Sequence, residues 1–320
     1  MKYPKAWMVL LLLVGCSSAP PEPEFNPDAL ACEPAECSAE GSTEIGPLAV
    51  GSNVRNWVYQ LGKYKSDRLD QLAQTKTDLV VIDLARDSRK SPFTASEVAA
   101  LKASGKKVLA YFEIGSIEIY RPEYETVLRQ APNLLLHRWP DFPNESFSRY
   151  WDERWWNLVV RPKVQQAINA GFDGIYMDTP LAYEEIRLST VPGETRESLG
   201  RKMVDLIVRI SRYAKAQRPG FWIFPQNSPE LRKFSGYVGA IDGIGMEDMF
   251  YRGNKTCRYS FCRENLAEAR ELRKAGKLVL VVDYPTNPEK VADSCRKIRA
   301  EGFVPYVTRK ALDRITPRCP

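Results

Sequence analysis

GFDGIYMDT, residues 171–179, pairs two glycines with a short apolar run, Ile175-Tyr176-Met177, that ends on a carboxylate, Asp178. In a barrel of parallel strands both faces of each strand are covered, so a strand reads as an unbroken apolar run. Its C-terminal end opens onto the active-site face. A carboxylate at that place reads as chemistry. Taken alone, Asp178 reads equally well as the cap of a turn opened by Thr179 and Pro180. The recurrence of the pattern decides between the two: residues 240–247, AIDGIGME, repeat Asp-Gly-Ile and again end on a carboxylate, Glu247.

Working outward, six further runs have the character of buried strands: 56–61 (NWVYQL), 78–84 (DLVVIDL), 107–114 (KVLAYFEI), 221–226 (FWIFPQ), 278–283 (LVLVVD) and 302–307 (GFVPYV). Helical stretches are expected between them, around 67–74, from Thr94 with Glu97 completing a capping box, and over 155–170, 194–217, 263–275 and 288–300. Pro162 is an awkward interior residue for one of these. A long insertion after the third strand is rich in aromatics, including Tyr120, Trp139, Phe142, Phe147 and Trp151. Eight strands alternating with helices predict a (β/α)8 TIM barrel over residues 47–320. No GxGxxG or GxxxxGK[ST] occurs, which speaks against a nucleotide cofactor.

The first residues form a separate unit. Lys2 and Lys5 precede an apolar run too short to span a bilayer, and that run ends in Leu13-Val14-Gly15-Cys16. This resembles the lipobox of bacterial lipoproteins, which implies a signal peptide over 1–15, lipidation of Cys16 and a membrane anchor. Ser17 stands where Asp would be the usual inner-membrane retention signal, so the outer membrane is expected in a host that has one. Prolines and glutamates dominate 16–46, which reads as a tether.

The formal charge of +6 falls to +4 without Lys2 and Lys5, and basic and acidic residues are interspersed, so no nucleic-acid footprint is present. Of seven cysteines, six remain beside Cys16. In an oxidising compartment they favour disulfides, with Cys32–Cys37, Cys257–Cys262 and Cys295–Cys319 as the pairing suggested by spacing.

The predicted strand ends gather Gln60, Asp83, Glu113, Asp178, Gln226 with Asn227, Glu247 with Asp248, Asp283 with Tyr284, and Tyr306. The single histidine, His137, permits neither a multi-histidine metal centre nor a well-supported serine triad, and it reads as a surface or packing residue. No strand end carries a lysine for Schiff-base chemistry. Paired-carboxylate chemistry remains, and glycoside hydrolysis needs such a pair together with polar and aromatic groups to hold sugar rings.

The runs WVYQL from Trp57, DGIYMD to Asp178, FPQN to Asn227 and IDGIGMEDMFY to Tyr251 together resemble glycoside hydrolase family 114, the endo-α-1,4-polygalactosaminidases, from about Trp57 to Tyr306. The resemblance implies a TIM barrel and a retaining mechanism with Asp178 as nucleophile and Glu247 as acid/base. No metal or cofactor is expected; a divalent metal bound by the carboxylates is the alternative reading of this cluster. Gln60, Asp83, Glu113, Tyr176, Gln226, Asn227, Asp248, Asp283 and Tyr306 are the candidate sugar contacts. Asp83, Glu113 and Asp283 suit hydroxyl or amino groups, and Glu247 is expected in less polar surroundings than Asp178 so that it keeps its proton. One segment departs from the family pattern: YFEIGSIE, residues 111–118, has Ser116 where a glutamate is usual. The substrate expected is a galactosamine-containing polysaccharide, cut by a monomer; the alternative is a non-catalytic sugar-binding barrel at the cell surface.

Overall fold

The computed structural model describes residues 53–319 except Lys90. The expected signal peptide (1–15), Cys16, the tether (16–46), Cys32 and Cys37 lie outside the described residues.

Eight parallel strands form the barrel: β1 (Trp57–Gln60), β2 (Leu79–Asp83), β3 (Lys107–Glu113), β4 (Gly174–Asp178), β5 (Trp222–Pro225), β6 (Gly243–Glu247), β7 (Leu278–Asp283) and β8 (Val304–Val307). A continuous ladder runs β1-β2-β3-β4-β5 and a second runs β6-β7-β8. The Asp242 amide joins the two at the Ile223 carbonyl (3.0 Å), as does the Asn227 amide at the Gly245 carbonyl (2.7 Å). At the other seam the Trp57 indole donates to the Val304 carbonyl at 3.1 Å. The chain is a (β/α)8 barrel, and its strands are buried nearly end to end because side chains pack inside it and helices cover it outside.

Aromatic rings fill the interior. Trp57 and Tyr59 stack with centroids 5.8 Å apart, and Tyr176 packs 5.2 Å from Tyr59. Room for Tyr176 comes from the neighbouring strand: a Cβ added at Gly245 would lie 1.8 Å from the Tyr176 hydroxyl. The two Asp-Gly repeats divide their labour along the strand. Their leading carboxylates sit at the N-terminal end, where Asp173 accepts from the Val108 amide (3.0 Å) and pairs with Lys102 (3.0 Å). Asp242 likewise accepts from the Ile223 amide (2.9 Å) and pairs with Lys215 (2.9 Å). These tie adjacent strands together on the stability face, leaving the closing carboxylates for the mouth.

β4 and β6 both begin later than expected. Gly171 is left-handed (φ +80°) at the end of the helix Arg161–Asn169, and Tyr237–Ala240 is a helical turn. Pro162 is accommodated by a π-helical turn over Trp156–Val160, in which the Arg161 amide donates to the Trp156 carbonyl. The wider turn avoids the clash of a proline ring with the carbonyl four residues back. Helix Arg196–Gln217 starts at a Thr195 cap and buries Leu199, Met203, Ile207, Ile210 and Ala214, one face at helical spacing. The aromatic insertion contains a three-stranded antiparallel sheet, Ser116–Glu118, Phe142–Ser148 and Leu135–Trp139, which the sequence reading had not resolved. Disulfides join Cys257 to Cys262 and Cys295 to Cys319.

Candidate active site

Asp178 closes β4 and Glu247 closes β6, with Gln226, directly after β5, between them. Asp178 Oδ2 accepts from the Tyr111 hydroxyl at 2.5 Å and Oδ1 from the Thr179 amide at 2.6 Å. Glu247 is held more closely. Its Oε1 accepts from the Tyr284 hydroxyl, its Oε2 from the Gln226 side chain and from Asn227 Nδ2 (3.2 Å), and its own amide donates to Asn227 Oδ1 (3.0 Å). Gln226 is oriented in turn by the Tyr59 hydroxyl, 2.8 Å from its Oε1. The residues that turn the chain away from these strand ends, Thr179 (φ 62°), Asn227 (φ 60°) and Asp248 (φ 51°), are all left-handed. Such conformations cost about 1–3 kcal/mol each and gather where a site over-determines the backbone.

Burial and then the charge of Glu247 push the Asp178 carboxyl up to about 7, against the Tyr111 and Thr179 hydrogen bonds that lower it. Burial also raises Glu247, opposed by Tyr284, Asn227 and Gln226. Both carboxyls are thus shifted toward the protonated form by burial, and at Asp178 the Glu247 charge adds to the shift. The expectation that Glu247 lies in less polar surroundings is corrected: three donors, from Tyr284, Gln226 and Asn227, reach its carboxylate, against two at Asp178. They come from the ends of β5 and β7 on either side of β6, a convergence that the local sequence around Met246 and Met249 does not reveal.

The other expected contacts fall into two sets. Tyr176 is fully buried, and its hydroxyl has no hydrogen-bond partner although both catalytic candidates act on it. Gln226 is buried, while Asn227 and Asp248 are half-buried at the mouth. Beside them, at the ends of β2, β3 and β7, Asp83, Glu113 and Asp283 are buried with their oxygens engaged. Arg121 pairs with Asp83 (2.9 Å) and Glu113, Lys163 with Glu113 (3.3 Å), and Asp283 accepts from the Ser294 hydroxyl (2.7 Å). These three carboxyls therefore meet protein partners and support the mouth. Burial raises Asp83 and takes Asp283 to about 7, whereas the cations Arg121 and Lys163 outweigh burial at Glu113 and keep it ionised. Gln60 donates to the Gly62 carbonyl and Tyr306 accepts from the Thr316 amide, both in the interior.

Sequence reasoning missed Tyr111, Arg121, Lys163 and Glu145. Glu145, on the antiparallel sheet, is hydrogen-bonded to the Ser116 hydroxyl, whose oxygen also lies 2.9 Å from Thr179 Oγ1. Burial and the charges of Glu113 and Asp178 raise it to about 8. A cleft of about 500 Å³ opens beside this group, lined by Lys63, Arg89, Tyr111, Glu118 and Tyr120 among others. His137 has a structural place, its Nε2 accepting from the Arg187 amide at 2.9 Å. Of the insertion's aromatics, Phe147, Tyr150, Trp155 and Trp156 are core residues, and Phe142 is exposed. Among the described residues no group of three or more His, Cys, Asp or Glu could hold a metal ion, and no helix is long and apolar enough to cross a membrane.

A model of glycoside-hydrolase family GH114 matches residues 39–320. The chain is 32% identical over 313 residues to a protein of Deinococcus radiodurans, covering 97% of this chain and 98% of that one. It is 28% identical over 274 residues to a protein of Methanocaldococcus jannaschii, covering 81% and 77%. Among solved structures it resembles the glycoside hydrolase domain of PelA from Pseudomonas aeruginosa (TM-score 0.64, 18% identity, 82% of this chain and 97% of that one). It also resembles Aspergillus fumigatus Ega3 in complex with galactosamine (TM-score 0.65, 16% identity, 88% of this chain and 100% of that one). At these identities the two structures speak for the barrel fold.

Proposed function

The chain belongs to glycoside-hydrolase family GH114, and from that premise we propose that this glycosidase is an endo-acting enzyme that cleaves α-1,4-linked galactosamine or N-acetylgalactosamine within a polysaccharide. The observation that carries the reading is the pair of half-buried carboxyls at the ends of β4 and β6, each hydrogen-bonded to a tyrosine and each raised by loss of solvent. A barrel that only bound sugar would have no use for two carboxyls withdrawn from solvent in this way. In the retaining mechanism Asp178 attacks the anomeric carbon while Glu247 gives its proton to the departing glycosidic oxygen. Glu247, now a carboxylate, takes a proton from water, and the resulting hydroxide opens the glycosyl–Asp178 ester with the original anomeric configuration restored. Tyr111 keeps one Asp178 oxygen in place, and the donors at Glu247 stabilise the charge it acquires when it releases its proton. Gln226, Asn227 and Asp248 are the sugar contacts this reading favours.

One observation supports the exchanged assignment, with Asp178 as acid and Glu247 as nucleophile: the larger set of donors at Glu247 favours its anion. Trapping distinguishes the two. An activated 5-fluoro α-galactosaminide should leave a glycosyl adduct that peptide mapping places on Asp178. An adduct on Glu247 would exchange the roles, and product NMR showing inversion would remove the covalent route altogether.

The lipobox adds an address. We propose that Cys16 is acylated after export and that the barrel works at the membrane surface, the outer membrane where the host has one. Cys16→Ser should leave an unprocessed precursor; normal maturation of that variant into the membrane fraction would count against the anchor.

A further inference from the structure

Among the described residues Tyr259 and Phe261 stand out as exposed rings that are nonetheless ordered against each other. They are 59% and 40% exposed. Their centroids lie 5.3 Å apart and their planes differ by 8°. The Cys257–Cys262 disulfide closes the chain around both, and Cys262 is buried, so the short loop is fastened to the body of the barrel. The rings are also tied to the site. Arg252 lies 5.6 Å from each ring centroid and 3.6 Å from Asp248, the residue that follows Glu247. The pair therefore belongs to the segment leaving β6, on the face where the catalytic carboxyls open.

We propose that Tyr259 and Phe261 form a stacking platform for a neutral, N-acetylated sugar of the polymer, beyond the unit that is cleaved. The proposal rests on the glycosidase reading above and adds to it a binding position and a charge preference. Parallel rings fixed at the surface present the flat apolar face that a pyranose ring covers with its C–H groups, and covering them removes apolar area from water. The charge preference follows from the loop. Arg252 lies against both rings, and the exposed Lys255, Arg258 and Arg263 are close to them in sequence, with Glu264 the one acidic residue of the stretch 252–264; a protonated galactosamine would be repelled there, whereas an N-acetyl group carries no charge. A basic and aromatic loop also has the composition of a membrane-surface contact. Inserted into lipid at this position, however, it would press the mouth holding Asp178 and Glu247 against the headgroups and close it to a polymer.

The test uses the full chain carrying Glu247→Gln, so that binding is read without cleavage, beside the same chain with Tyr259→Ala and Phe261→Ala added. Both run in native gels containing α-1,4-linked poly-N-acetylgalactosamine or its chemically deacetylated form. Retardation by the acetylated polymer should weaken at least fivefold when the rings are removed, and Tyr259→Trp with Phe261→Trp should restore it. Equal retardation with and without the rings overturns the platform, as does the absence of retardation. Ring-dependent retardation by the deacetylated polymer alone overturns the charge preference. Co-sedimentation with phosphatidylglycerol–phosphatidylethanolamine vesicles that depends on the rings, with polymer binding untouched, assigns the loop to lipid and also overturns it. Reducing-end release by the unmutated chain is measured separately: its absence on both polymers counts against the proposed substrate, while cleavage accompanied by ring-independent binding counts against the platform alone.

Discussion

Replacing Asp178 by asparagine should stabilise the protein while abolishing turnover, and the stabilisation should grow with pH. An unfolded aspartate titrates at about 3.9, whereas burial and the charge of Glu247 place the folded group at about 7. Below pH 4 the carboxyl is protonated in both states and contributes little. Between the two values the unfolded chain releases a proton that the folded chain keeps. Each pH unit then costs the fold about 1.4 kcal/mol, and the penalty levels off above pH 7. The cost comes to about 0.5 kcal/mol at pH 4, about 1.5 at pH 5 and about 4 at pH 7. Asparagine removes this penalty but can accept from only one of Tyr111 and Thr179, which costs about 1 kcal/mol at every pH. Urea unfolding at the three pH values reads the difference. The variant should match or fall slightly below the parent at pH 4 and exceed it by about 3 kcal/mol at pH 7. In a Glu247→Gln background the gain should shrink, because the partner that raises Asp178 has lost its charge. A stability difference that stays flat from pH 4 to 7 would refute the picture of Asp178 as a carboxyl held against its own ionisation.

Three further outcomes follow from named contacts. Tyr284→Phe removes a hydrogen bond to Glu247 worth about 1.5–3 kcal/mol, so the Glu247 pKa should rise by about 1–2 units. Because the acid must be protonated to act, the alkaline limb of the kcat/KM profile should move upward by the same amount; an unmoved limb would count against Glu247 as the acid. Arg121→Ala leaves Asp83 and Glu113 buried without their shared cation and should destabilise the fold by about 3–5 kcal/mol in urea at pH 7, less at pH 5 as the carboxyls take up protons. A flat response there would argue against a buried ion cluster. The Cys295–Cys319 bridge spans 24 residues, and replacing both by serine should cost about 3.5 kcal/mol against about 2 for the short Cys257–Cys262 loop; the reverse order in urea unfolding would contradict the loop-length argument.

The barrel was legible in the sequence for a physical reason. Strands covered on both faces leave unbroken apolar runs, and residues 278–283 coincide with β7 to the residue. The ends of those runs also gave the position of the carboxyls, because a charged residue closing such a run must emerge at the mouth. What could not be read is what reaches those carboxyls from elsewhere. Tyr111 lies within β3 and is indistinguishable in sequence from a core tyrosine. Arg121 and Lys163 carry long polar side chains that read as surface residues, yet their heads are buried against Asp83 and Glu113. The left-handed turn at Thr179 has no sequence signature, since a β-branched residue is a poor choice for it; the structure fixes the turn through the Gly115 amide, which donates to Thr179 Oγ1 at 3.0 Å.

The hidden cations also bear on the proposed catalytic pair. Asp83 and Glu113 face Arg121 and Lys163 in equal numbers, so this cluster adds little net charge beside two carboxyls that burial already shifts toward the protonated form. Beyond that balance the rim is graded. On the β3 side Glu118 shares Arg121 with Asp83 and Glu113, and Glu145 meets a hydroxyl in place of a cation. On the β6 side Arg252 lies against the two rings, in a segment that also carries the exposed Lys255, Arg258 and Arg263. Burial and the charge of Glu113 raise Glu118 to about 9 and Glu145 to about 8, so both keep their protons at neutral pH and the β3 side of the mouth offers hydrogen-bonding groups in place of anions. A polymer of uniform positive charge therefore gains nothing there to offset its repulsion by Arg252. On the reading proposed above, a neutral, acetylated stretch of galactosamine polymer suits both sides, its hydroxyls toward Glu118 and its acetylated units over Tyr259 and Phe261.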